Sequence, residues 1–148
     1  METPETIALR KALSLLARRE HSAVELSRKL GAKGFEEEVV ASVISQLRNK
    51  DLLSDARFTE SFVRQRIASG YGPVRIRQEL RQRGIEEDTI GQNLWHEETE
   101  WMHRAASIRH KRFGTARPKD LRDRARQARF LMYRGFASEH IYQVLGES

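Results

Sequence analysis

Arginine is the most frequent residue of this 148-residue chain and the one best suited to binding chemistry, with Arg75, Arg77, Arg81 and Arg83 in one short stretch. A guanidinium presents a planar fork that meets a carboxylate or a phosphate through two parallel hydrogen bonds. The run therefore suits an acidic protein surface or a nucleic-acid backbone, and its spacing does not separate the two from a solvated helix face. A second set, Lys119, Arg122, Arg126 and Arg129, falls on one side of a helix and is a candidate for contacts to DNA phosphates. Arg57 admits a structural reading as well, paired to Asp55 or Glu60. Tyr71, Trp95, Trp101 and Tyr133 read as core or hinge residues rather than platforms for stacked bases.

Catalytic chemistry lacks its parts. There is no Gly-rich phosphate loop, no Gly-x-Ser-x-Gly elbow and no His-Glu-x-x-His, which leaves nucleotide hydrolysis, acyl transfer and zinc proteolysis without their residues. His103 and His110 are seven positions apart, about 10.5 Å along a helix, too far to share one metal ion. Carboxylates such as Glu97 and Glu98 have no partnered nucleophile or metal and read as solvated. The chain is expected to be no enzyme and to need no metal or cofactor.

The elements that must hold these side chains are punctuated in the sequence. Around the central arginines, Tyr71 stands between Gly70 and Gly72, and Pro73 takes the first helical position, where a missing N–H costs nothing. Gly84 then follows the last helical residues as a left-handed cap, with Leu80 and Ile85 as the apolar pair of a Schellman ending. The same ending recurs as Leu30, Gly34 and Phe35 and as Leu131, Gly135 and Phe136. Each is followed by an apolar pair: Val40 and Ile44, Ile90 and Leu94, Ile141 and Leu145. Glycines 50 and 51 residues apart indicate a helical array. The expected fold is all-α, an elongated, curved array of three tandem three-helix repeats over residues 1–53, 54–98 and 99–148.

In chain order, Thr3 caps a first helix with Pro4 inside it, ending near Arg19, with Leu9, Ala12, Leu13 and Leu16 inward. Ser22 and Glu25 form a capping box for a second helix closing at Gly34. Residues 38–47 are rich in β-branched side chains, but the apolar positions 39, 40, 43, 44 and 47 keep helical spacing, so the segment is read as helix. Ser54 or Asp55 opens the next unit, with Phe58, Phe62 and Ile67 buried. Between Gly91 and Gly114 no glycine or proline intervenes, and a break is expected near Glu98 and Thr99, with Thr99 as cap. Pro118 is expected to open the longest helix, to about Arg134, with Leu121, Ala125, Ala128 and Met132 inward. A short final helix carries Ile141, Val144 and Leu145.

Composition bounds the partners. Net charge is +6 with 32% charged residues and no cysteine, so neither a disulfide framework nor a thiolate metal site is available. Lacking an N-terminal apolar region or a long apolar run, the chain reads as soluble and cytoplasmic, without a membrane partner. The three units carry +1, −1 and +6, so the whole net charge resides in the last. That asymmetry points to a polyanion or an acidic protein surface.

Leu53-Ser54-Asp55-Ala56-Arg57-Phe58, Gly70-Tyr71-Gly72-Pro73, Arg75-Ile76-Arg77-Gln78-Glu79-Leu80 and Gly84-Ile85 together resemble the signature of the RecX family, regulators of the RecA recombinase. The resemblance extends through Arg19-Glu20-His21-Ser22, Glu25-Leu26 and Lys29-Leu30, and again through Phe130 to Phe136. It implies a monomeric protein of three-helix repeats that lies in the groove of a RecA filament on single-stranded DNA and restrains ATP hydrolysis and strand exchange. Recombination, DNA repair and the SOS response are the implied setting. Arg57, Arg64, Arg66, Tyr71, Arg75, Arg77, Arg81 and Arg83 are the residues it implies for contact with RecA or DNA. A weak, sequence-independent affinity for single-stranded DNA would come from the basic third unit. Residues 95–117 carry no motif matching the family.

Overall fold

Caps written into the sequence set several of the helix ends. The structure, a computed structural model, describes residues 1–95 and 97–146, and among these the regular structure is entirely helical. Helix α1 (Pro4–Arg18) starts behind Thr3, whose hydroxyl accepts from the Thr6 N–H. Helix α2 (Ala23–Ala32) starts with the full capping box of Ser22 and Glu25. Helix α3 (Glu37–Asn49) buries Val40, Val43, Ile44 and Leu47, so helical period outweighs β-branched composition here. Helices α4 (Asp55–Ala68), α5 (Pro73–Gln82) and α6 (Glu87–Trp95) follow, then a 3₁₀ turn over Glu98–Glu100, and then α7 (Trp101–Phe113), α8 (Leu121–Tyr133) and α9 (Ser138–Leu145).

All three Schellman endings form. The N–H groups of Phe35, Ile85 and Phe136 donate to the carbonyls of Leu30, Leu80 and Leu131 at 3.4, 3.1 and 3.1 Å. The glycine before each has positive φ: 96° at Gly34, 74° at Gly84 and 95° at Gly135.

The described chain divides into two compact units, residues 1–61 with 80–89, and residues 62–79 with those from 90 onward. In the first, α1, α2 and α3 pack on one another around Ala8, Ala12, Leu26, Leu30, Val43 and Leu47. The alanines let α1 approach closely, and the buried face centres on them; Leu13, expected inward, is 41% exposed. In the second unit α7, α8 and α9 pack together around Trp101, Ala105, Leu131, Phe136 and Ile141.

Several expectations are corrected in the last three helices. The break after α6 exists, but Thr99 lies within the 3₁₀ turn, and α7 begins behind Glu100 with no side-chain cap. Helix α8 starts at Leu121, not Pro118, because the Asp120 carboxylate accepts from the Asp123 N–H; at 13 residues it is shorter than α1, which has 15. Its inward face also differs. Gln127 and Leu131 are buried, whereas Leu121 is 76% and Met132 59% exposed. The cause is a polar interior: Arg109, 4% exposed, donates from Nε to Gln127 Oε1 at 2.8 Å and through its other nitrogen to the Ala116 carbonyl.

Candidate partner interface

Two helix-on-helix junctions position the arginines, and they share one geometry. In the first unit the Ser22 hydroxyl, at the N-cap of α2, donates to the Arg83 carbonyl at 2.8 Å, directly before Gly84. In the second unit the Gly72 N–H, just before α5, donates to the Arg134 carbonyl at 2.8 Å, directly before Gly135, and the Val74 N–H to Gly135 O at 2.9 Å. A Cβ on Gly84 would stand 2.2 Å from Val24 Cγ2, and one on Gly135 would stand 2.2 Å from Arg75 Cβ. Glycine is thus required twice over, for its φ and for the approach of the neighbouring helix start. Gly34, which ends α2, has nothing within 4 Å of its imagined Cβ.

Arg57 turns out to be wired to the first repeat. Its guanidinium pairs with Glu20 at 3.1 Å and Asp51 at 3.1 Å, and donates to the Asp51 carbonyl at 2.8 Å. Neither Asp55 nor Glu60, the expected partners, supplies these contacts. The Asp55 carboxylate is drawn away to the start of α2, where it accepts from the Ala23 N–H at 2.8 Å and complements the helix dipole. Hydrogen bonding to Glu20 above all raises the Arg57 pKa.

In the second unit the structure brings Arg66, Tyr71 and Arg75 together and joins to them Tyr133 and Arg134, which lie about 60 residues further along the chain. Guanidinium carbons lie over the Tyr71 ring at 4.3 Å from Arg75, 5.3 Å from Arg66 and 5.3 Å from Arg134. Arg75 also lies 5.7 Å from the centre of the Tyr133 ring, and Arg66 lies 5.1 Å from that of Phe62. Glu79 pairs with Arg66 at 2.7 Å and Arg75 at 3.7 Å. Three guanidinium groups against one carboxylate leave an excess of positive charge fixed by aromatic faces, an arrangement suited to a carboxylate or phosphate ligand. Tyr133, expected in core or hinge, is 77% exposed and Trp95 72% exposed, while Trp101 is fully buried. The signal for Arg134 was present in the repeat itself. It precedes its C′ glycine as Arg83 and Lys33 precede theirs.

The remaining arginines are not gathered there. Arg64 is exposed on α4, and Arg77 and Arg83 are half-buried. Arg81 is exposed and donates from Nε to Glu87 in the first turn of α6, a hydrogen bond that raises its pKa.

Of the third-unit stripe, Lys119, Arg122 and Arg126 line an open pocket of about 540 Å³ beside Phe113, and Arg129, also exposed, does not. Arg112 and Arg117, which no spacing rule singled out, add two cations to its wall, against Asp120 and Asp123. Arg126 donates to Asp123 at 2.8 Å and lies 4.9 Å from the centre of the Phe113 ring. That hydrogen bond first, and the Lys119 N–H second, hold the Asp123 carboxyl below its ordinary value, so it stays charged and offsets part of the basic wall. Among the described residues no three His, Cys, Asp or Glu side chains group to hold a metal ion, and no helix is long and apolar enough to cross a membrane.

Sequence models of one family match three successive segments: RecX, first three-helix domain, over residues 8–47; second, over residues 54–94; third, over residues 98–145. The chain belongs to the RecX family. It is 46% identical over 145 residues to the Regulatory protein RecX of Pseudomonas entomophila (strain L48), covering 98% of this chain and 93% of that one. To the Regulatory protein RecX of Halorhodospira halophila it is 45% identical over 130 residues, covering 88% and 81%. The crystal structure of RecX from Lactobacillus salivarius shares the fold with a TM-score of 0.79 at 20% identity, over 96% of this chain and 94% of that one. Another, of regulatory protein RecX, gives 0.82 at 26% identity, over 96% and 72%. Within these RecX domains the Tyr71 cluster takes Arg66, Tyr71 and Arg75 from the second and Tyr133 and Arg134 from the third.

Proposed function

We propose that this chain is a non-enzymatic modulator of RecA that lies in the groove of the RecA–single-stranded DNA filament and restrains ATP hydrolysis and strand exchange. The observation that carries the reading is near full-length similarity, 46% over 98% of the chain, to a protein named as regulatory. The Tyr71 cluster supports it with a preorganised cationic surface, and Arg64 on α4 and Arg77 on α5 add basic side chains within the same unit; Arg81 and Arg83, in the first unit, are further candidate contacts. The mechanism is occupation: a protein seated in the groove hinders the movements that accompany ATP turnover and blocks incoming duplex. It works in the cytoplasm, as a monomer, in recombination, DNA repair and the SOS response. Arg57 serves more in holding the repeats than in meeting the partner, given its pairing to Glu20 and Asp51.

The third-unit pocket favours a second reading, direct sequence-independent binding of single-stranded DNA through Lys119, Arg122, Arg126 and Arg129, with any effect on RecA secondary. One experiment separates the two: RecA's DNA-dependent ATPase is measured with and without this protein, beside its affinity for bare DNA at several salt concentrations. Inhibition at protein levels too low to coat the DNA supports the filament reading. Inhibition that tracks DNA coverage and vanishes with salt overturns it.

A further inference from the structure

Helix α8 carries an apolar ridge that no element among the described residues covers. Leu121, Ala125, Ala128 and Met132 recur at intervals of four, three and four, which places them along one line of the helix about 16 Å long, three turns. Leu121 is 76% exposed and Met132 59%, Ala125 is exposed and Ala128 half-buried. The buried face of α8, with Gln127 and Leu131, points elsewhere.

Charge frames this line. Arg122 and Arg129 lie roughly 70–90° round on one side and Arg124 roughly 70° round on the other. Arg122 and Arg129 are exposed and carry no ion pair among the described residues. Arg124 lies 5.9 Å from the centre of the Tyr142 ring, which is 55% exposed and widens the apolar strip toward α9.

We propose that this ridge seats an amphipathic helix of a protein partner, about three turns long, whose apolar stripe is edged by Asp and Glu. The proposal rests on the RecA reading above and places the acidic helix on RecA. Interface cores are enriched in Met, Tyr and Arg, and the arginine flanks are complementary to acidic edges. Nucleic acid is a poorer occupant, because a phosphate backbone offers nothing to an exposed Leu and Met. A second copy is poorer still, since ridge against ridge would set Arg122, Arg124 and Arg129 against their own counterparts.

The test uses the full chain and RecA filaments on single-stranded DNA. Leu121→Ser with Met132→Ser removes the apolar line at two exposed positions, so thermal unfolding should stay as in the wild type. Cosedimentation with filaments should weaken at least tenfold. Arg122→Glu with Arg129→Glu should weaken it similarly, with a shallower salt dependence. A photoreactive benzophenone side chain at position 132 should crosslink to a helical, acidic segment of RecA. Serine variants that sediment like the wild type, or crosslinks to DNA or to a second copy, overturn the ridge as the docking site while leaving the RecA reading intact. A wild-type chain that fails to sediment with filaments overturns both.

Discussion

Arg109 Nε donates to Gln127 Oε1 at 2.8 Å inside the third repeat, and both side chains are almost wholly buried, at 4% and 3% exposure. Counting back from the C′ glycines, Gln127 occupies the position of Leu26 and Ile76, core residues of the two preceding repeats. The last repeat has therefore exchanged an apolar core position for a polar one. The same arginine reaches the Ala116 carbonyl and ties down the loop between α7 and α8, whose side chains wall the basic pocket.

Removing one partner of that pair should cost more than removing both. Gln127→Leu strands a buried guanidinium donor and is expected to destabilise by about 1–3 kcal/mol. Adding Arg109→Met should recover part of the loss, since an apolar pair of similar size needs no hydrogen bond. Urea unfolding of the two single variants and the double variant measures the coupling; strictly additive losses would mean that the pair contributes nothing as a pair.

The glycine endings make a comparative prediction. Gly34→Ala meets only the left-handed backbone penalty, about 1–2 kcal/mol, because no atom lies within 4 Å of the new methyl. Gly84→Ala meets the same penalty and also Val24, at 2.2 Å. It should cost at least about 1 kcal/mol more, from overpacking. Val24→Ala should recover part of the difference in the Gly84→Ala background. Equal losses at Gly34 and Gly84 would show that the neighbouring helix yields freely.

These endings were readable because a left-handed cap depends on local backbone alone, and so were the capping box at Ser22 and the helical period of α3. The inward face of α8 is not legible from hydrophobicity, for the opposite reason. Hydrophobicity chose Leu121 and Met132, while repeat register, counted from Gly135, chose Gln127 and Leu131, and register prevailed. The partners of Arg57 were hidden because Glu20 is 37 residues away in sequence, and nothing local announces such a pairing. In the Tyr71 cluster, Arg66, Tyr71 and Arg75 are near one another along the chain, but Tyr133 and Arg134 join them only through the junction at Gly72 and Gly135.

His21 gives the fold a dependence on pH. It is 1% exposed, its Nδ1 lies 3.1 Å from the Arg19 carbonyl and its Nε2 lies 3.0 Å from Lys29 Nζ, which suits the neutral ring donating at the first and accepting at the second. Burial lowers its pKa from the ordinary 6.5; the hydrogen bond to Arg19 opposes this, and the Arg19 and Lys29 charges add to it. The unfolded chain then binds the proton more readily, so stability is complete above about pH 6.5 and falls as pH drops below it. His21→Gln should flatten the change in urea midpoint between about pH 7.5 and pH 5.5. An unaltered slope would assign the pH dependence to other groups.

The central helix tests the partner reading. Ile76 and Leu80 are fully buried, and Arg81 pairs with Glu87 with both side chains more than half exposed, at 55% and 56%. Such a surface pair contributes about 0–1 kcal/mol. Glutamine keeps much of the aliphatic stem that half-buried Arg77 uses. Arg77→Gln with Arg81→Gln should therefore fold normally yet need at least tenfold more protein to inhibit RecA, because arginines lost from an interface centre cost about 2 kcal/mol or more. Inhibition at wild-type concentration would show that this face is merely solvated.

The basic pocket makes the last prediction, on affinity for bare single-stranded DNA. Each phosphate neutralised contributes about 0.7 to the fall of log K with log salt. Lys119→Gln with Arg122→Gln should flatten that slope by up to roughly 1.4 if each cation meets one phosphate. Arg126 differs, because Asp123 already accepts its hydrogen bond at 2.8 Å. Its removal alone should change the slope less than that of Arg122. Asp123→Asn keeps an oxygen for the Lys119 N–H while deleting the charge that competes with phosphate, so it should tighten DNA binding and steepen the slope. Fluorescence anisotropy of a labelled oligothymidylate across a salt series reads all of these. A slope that stays the same in every variant would remove the pocket from the DNA contact, and with it the second reading of what this chain does.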